Sequence, residues 1–171
     1  YVKYLNQTVK RLKGETFEEP VHTTIDLAID GYITEEYIED QEQKIEVYKK
    51  IAAIRDENDY GELIDELIDR FGDVPKEVQN LMDISYIKNR ASLCQINNII
   101  QTGDMVTLEF NSMDHITPDL INYLSVEYGR KLYFDLSNTP RFKYKFKSDV
   151  ISSLKTLVEK ITSFHNKKSD V

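Results

Sequence analysis

Few residues of this chain have the types and spacing that catalytic chemistry demands. His22, His115 and His165 are far apart, and none has a partner at i+4, so no helix offers a zinc-binding histidine pair. The six glycines (14, 31, 61, 72, 103, 129) are all isolated, so none opens a phosphate-cradling loop. Asp65-Glu66-Leu67-Ile68 looks like the acidic box of helicases, but without that loop it is a helix repeat. Ser152-Ser153 has no nucleophile-elbow context. Neighbouring carboxylates such as Glu18-Glu19 and Glu35-Glu36 diverge rather than converge. An enzyme would have to assemble its site from scattered acids such as Asp26, Asp30 and Glu109.

Two segments retain binding chemistry. Arg141-Phe142-Lys143-Tyr144-Lys145-Phe146-Lys147 alternates cations with aromatics. Its basic residues Arg141, Lys143, Lys145 and Lys147 make nucleic-acid binding an alternative function. Alternation also suits a core-facing strand whose exposed lysines guard a sheet edge, and that edge strand is the expectation here. The second segment, Glu62 to Pro75, predicts an amphipathic helix, a stop and a restart. Leu63, Ile64, Leu67, Ile68 and Phe71 form its apolar stripe, and Glu62, Asp65, Glu66, Asp69 and Arg70 project away from it. Glu66 and Asp69 share a face at i, i+3, as do Glu62 and Glu66 at i, i+4. Gly72 fits a left-handed cap and Pro75 the first turn of the next helix.

The elements that position these residues follow from periodicity. Val2, Leu5, Val9 and Leu12 mark a leading helix over residues 1–14, followed by an acidic loop, Glu15–Pro20. Val21–Ile29 alternates as a strand. Asp40 with Gln43 opens a helix through Ile45, Tyr48, Ile51 and Ala52 to about Asp56, and Asp59 with Glu62 opens the motif helix. The helix after Pro75 directs Val78, Leu81, Met82 and Ala91 inward. Ile96–Gln101 and Met105–Phe110 predict a hairpin, Thr117–Gly129 a helix, Leu132–Leu136 and Arg141–Lys147 a second strand pair, and Asp149–Phe164 a last helix. The expected fold is α+β: one compact domain with a helical first half, then β-hairpins packed with helices.

Composition narrows the partners. A chain of 171 residues can bury a core, and no apolar run approaches the roughly 18 residues of a membrane span. The single cysteine, Cys94, excludes an internal disulfide and is expected to be a buried small hydrophobe, in keeping with a reducing cytoplasm. Residues 15–83 hold 21 acidic and 6 basic side chains, whereas residues 84–171 hold 12 basic and 9 acidic. That acidic block disfavours nucleic acid and favours a basic protein partner. Entry at Tyr1 in mid-helix is what a segment of a longer protein would show.

Tyr1, Tyr4-Leu5, Leu12-Lys13-Gly14, Gln43-Lys44-Ile45, Tyr48-Lys49, Ala52, then Glu66-Leu67-Ile68-Asp69-Arg70-Phe71-Gly72 with Pro75, come in an order that resembles the C-terminal domain of bacterial transcription-repair coupling factors, the Mfd family. The resemblance is close over residues 1–90 and rests on element order over 91–171. It implies a regulatory, non-catalytic domain without a cofactor, spanning residues 1–171 (1–14 leading helix, 15–90 motif-bearing part, 91–171 hairpin and helix part). It further implies a cytoplasmic parent that is an ATP-driven translocase on double-stranded DNA, displaces stalled RNA polymerase and recruits UvrA. In that family this domain docks on the parent's own UvrA-binding module. Carried over, Glu66 and Asp69 would form the docking face, with Glu62, Asp65 and Arg70 flanking it.

Overall fold

The computed structural model describes residues 19–169, with side chains to 167. The leading helix and residues 15–18 of the acidic loop lie outside the described residues. Among these, five α-helices pack with a five-stranded mixed sheet in the order β1-β2-β3-β5-β4. The strands are β1 (Thr24–Asp26), β2 (Ile96–Thr102), β3 (Met105–Phe110), β4 (Leu132–Asp135) and β5 (Arg141–Lys145). The helices are α1 (Gln41–Ala52), α2 (Glu57–Phe71), α3 (Lys76–Leu93), α4 (Pro118–Tyr128) and α5 (Val150–Ser169).

Register explains the core. Across the sheet, Ile25, Ile99, Leu108, Phe142 and Phe134 stand in one row on the buried face. On the opposite face the next row is Asp26, Ile100, Thr107, Lys143 and Tyr133. The hairpin of β2 and β3 has the expected bounds to within a residue, and Val106, Leu108 and Phe110 are buried as expected. The alternation from Val21 to Asp30 also persists in burial, although only Thr24–Asp26 pairs, in parallel with β2.

One expectation about the sheet is overturned. β5 is not an edge strand, because it lies between β3 and β4 and pairs antiparallel with both. The reason is side-chain content. Phe142 and Tyr144 of β5 meet Leu108 and Val106 of β3, whereas the four-residue β4 leaves Tyr133 62% exposed and is better suited to the rim. The two predicted hairpins therefore form a single sheet.

The helical boundaries move too. α1 stops at Ala52 rather than near Asp56, because α3 takes its last carbonyls: Ser85 Oγ donates to Ile51 O at 2.7 Å and Asn89 Nδ2 to Ala52 O at 3.1 Å. Asp56 then caps α2, accepting from Asp59 N at 2.8 Å, three residues before the expected cap. The buried face of α1 is Lys44, Val47 and Ile51, leaving Ile45 and Tyr48 exposed. The Lys44 stem serves as apolar filling while its ammonium reaches Glu35 at 2.8 Å. Gly72 does end α2 with a positive φ of 88°, and its N–H donates to Ile68 O. Pro75 stands at the N-cap of α3, one position before the expected first turn. α4 runs as expected from the Thr117 cap to Gly129, and α5 extends five residues past Phe164.

Candidate functional site

The motif helix α2 packs beside α1, and the two exchange charge. Glu66 accepts from Lys50 Nζ at 2.7 Å and from Arg70 Nη1 at 2.9 Å. Arg70 also reaches Glu46 at 3.1 Å, and Glu46 reaches Lys50 at 3.3 Å. Two carboxylates and two cations thus close a ring across the helix pair. The i, i+4 spacing within each helix brings Glu46 to Lys50 and Glu66 to Arg70. The Arg70 guanidinium lies 4.9 Å from the Phe71 ring centroid, which ties the ring of charges to the end of the apolar stripe.

The predicted site residues therefore separate into two sets. Glu66 and Arg70 are brought together and used inside the domain. Asp65 and Asp69 are exposed and make no ion pair among the described residues. Glu62 is exposed and among the described residues accepts only a long 3.4 Å contact from Asn58. Lys50 and Glu46 of α1 are partners of Glu66 and Arg70 that sequence reasoning passed over. Their i, i+4 opposite charges were visible, but the packing of α1 on α2 was not. Ile68, expected in the core, is 47% exposed beside Asp69.

The C-terminal end of α2 is fixed from outside. Tyr37 Oη donates to Leu67 O at 3.2 Å and to Gly72 O at 3.0 Å, and its ring packs against Phe71. Hydrogen bonds from Lys50, followed by those from Arg70, hold the Glu66 carboxyl below its ordinary value of 4.5, against a raising effect of burial. A carboxyl depressed by folding contributes stability above its unfolded pKa, and that contribution is lost as pH falls through the folded pKa. Glu66→Gln should therefore lower the Tm at pH 7. The gap to the unmodified chain should close as pH falls below 4.5; a gap constant with pH would refute the assignment.

The rival sites do not assemble. On the sheet's open face Arg141 Nε meets Glu109 at 3.1 Å and Lys145 meets Asp104 at 3.8 Å. Two of the three cations of β5 are thus paired with acids, and this disfavours a phosphate backbone. An open groove of about 560 Å³ is lined by Tyr123, Lys155, Thr156, Glu159 and Lys160 among others. Two of its lysines are likewise engaged, Lys155 with Glu57 and Asp83, and Lys160 with Glu127. Glu109 is taken by Arg141 and Asn98, and Asp26 stands two strands away from it, on β1 with β2 between. Among the described residues no group of three His, Cys, Asp or Glu side chains could hold a metal ion. No helix among the described residues is long and apolar enough to cross a membrane. Cys94 is buried beside Thr162 and its thiol is pushed up to about 11 by burial, as expected for a packing residue.

Comparison with known proteins resolves the family. A model of the TRCF domain matches residues 27–121, more than half the chain and the whole of α1, α2 and α3. The chain belongs to the TRCF domain family. This TRCF domain is 35% identical over 135 residues to the transcription-repair-coupling factor of Bacillus subtilis (strain 168), covering 77% of this chain and 12% of that protein. It is 30% identical over 142 residues to that of Staphylococcus aureus (strain USA300), covering 81% and 12%. The chain therefore spans about an eighth of the length of these relatives. A crystal structure of the C-terminal domain of transcription-repair coupling factor superposes with a TM-score of 0.77 at 25% identity, covering 88% of this TRCF domain and 98% of that chain.

Proposed function

We propose that this TRCF domain is a non-catalytic regulatory module of a cytoplasmic transcription-repair coupling factor. It docks on the parent's own UvrA-binding module and keeps that surface hidden at rest. The parent is then an ATP-dependent translocase on double-stranded DNA that displaces stalled RNA polymerase and recruits UvrA once the domain lets go. The observation that supports this reading best is the exposed acidic face of α2, where Asp65 and Asp69 have no ion-pair partner among the described residues. Rim ion pairs contribute only about 0.2–1 kcal/mol each, so such a face suits a contact that a competing partner can break. Tethering within one chain supplies the effective concentration that weak pairs lack.

The test is charge reversal in the full-length parent. Asp65→Lys with Asp69→Lys should turn two attractions into repulsions. UvrA capture and basal ATPase activity should each rise roughly five- to thirty-fold, the equivalent of about 1–2 kcal/mol. If both stay at resting levels while the domain remains folded, docking through this face is wrong.

A further inference from the structure

The outer face of α2 presents one large apolar side chain to solvent. Ile68 is 47% exposed, although its spacing assigns it to the stripe that buries Leu63 and Leu67. On a helix it lies one turn after Ile64 and Asp65 and directly before Asp69. Asp65 and Asp69 are exposed, while Arg70 turns the other way, to Glu66 and Glu46. Ile68 is therefore an apolar knob flanked by carboxylates. The backbone beneath it is already fixed, since Gly72 N–H donates to Ile68 O and Tyr37 Oη bonds the carbonyls of Leu67 and Gly72. A fixed apolar side chain with a charged rim is suited to anchor an interface, because little freedom remains to be lost on binding.

We propose that Ile68 is the anchor of the docking surface, flanked by Asp65 and Asp69, and that its occupant is an apolar recess bordered by lysine or arginine side chains. Glu66 is then a positioning residue that fixes α2 against α1 and does not meet the partner. Charge decides between occupants: a second copy of this face would bring four carboxylates together, whereas a basic rim neutralises them. The inference rests on the docking reading above and goes beyond it in naming the contact.

The experiment compares Ile68→Ser, Ile68→Leu and Asp69→Lys in the full-length parent by UvrA capture, and in the 171-residue chain by thermal unfolding. Ile68→Ser should raise capture about tenfold, as far as Asp69→Lys does or further, with Ile68→Leu at the resting level. The Tm of the chain should stay within about 1 °C for all three, as for other surface substitutions. Release by Asp69→Lys without release by Ile68→Ser would overturn the anchor and leave docking standing. Release by neither would remove the docking reading, and the anchor with it. A fall of several degrees in Tm for Ile68→Ser would place Ile68 in the fold and also overturn the anchor.

Discussion

Phe142→Ala should cost about 3–5 kcal/mol of stability, the range for a large aromatic removed from a sealed core. Phe142 is fully buried in the inward row, between Leu108 of β3 and Phe134 of β4. Its ring meets Phe110 at 4.5 Å and Phe134 edge-on at 4.8 Å, so one truncation removes the middle of a three-ring cluster. β5 is paired on both sides, so the backbone around the void cannot collapse without breaking two ladders. Against a total of about 5–15 kcal/mol this is a large share. At about 2–4 °C per kcal/mol for a chain of this size, the Tm should drop by roughly 6–20 °C in a circular-dichroism melt. A loss below about 1 kcal/mol would mean that β5 is not the keystone of the sheet.

Phe142 also marks where the sequence was legible and where it was not. Alternation from Arg141 to Lys145 is a local signal, and it correctly assigned Phe142 to the core. Which strand lies next to β5 is set by a long-range match of Phe142 and Tyr144 with Leu108 and Val106, and nothing local encodes it. The same division runs through the helices. Caps at Asp40 and Thr117 are local, and both are occupied as expected. The end of α1 is not local, because Ser85 and Asn89 of α3 decide it.

The candidate site follows the same rule. The apolar and acidic faces of α2 could be separated by counting, and the family resemblance drew attention to Glu66 and Asp69. Counting cannot show that Lys50 approaches Glu66 from a second helix, which gives the two carboxylates different surroundings. Nor can it show that the core beneath α2 is filled by Leu63 and Leu67 with Ile64 and Phe71 at its margin, leaving Ile68 outside. Spacing assigns a residue to a stripe; the width of the neighbouring surface decides how much of the stripe is covered.

Glu66→Lys should separate the two carboxylates most sharply. The substitution places a third cation between Lys50 and Arg70 and leaves Glu46 as the lone acid of the ring. Two attractions become repulsions at a half-buried position, and the Arg70 guanidinium is pushed from its seat over Phe71. The expected result is a Tm lower by about 2–5 °C, with α2 loosened against α1. Asp69→Lys, three residues on and exposed, should leave the Tm nearly unchanged. In the full-length parent both should raise UvrA capture, by different routes: Asp69→Lys through the contact, Glu66→Lys through the platform beneath it. Restoring the pair tells them apart. Lys50→Glu combined with Glu66→Lys re-forms an opposite-charge bridge between the helices and should recover most of the lost Tm and most of the resting UvrA capture. The same Lys50→Glu change should not rescue Asp69→Lys, and should lower its Tm by breaking the ring. Rescue of both, or of neither, would mean that Glu66 meets the partner directly and that the ring is incidental.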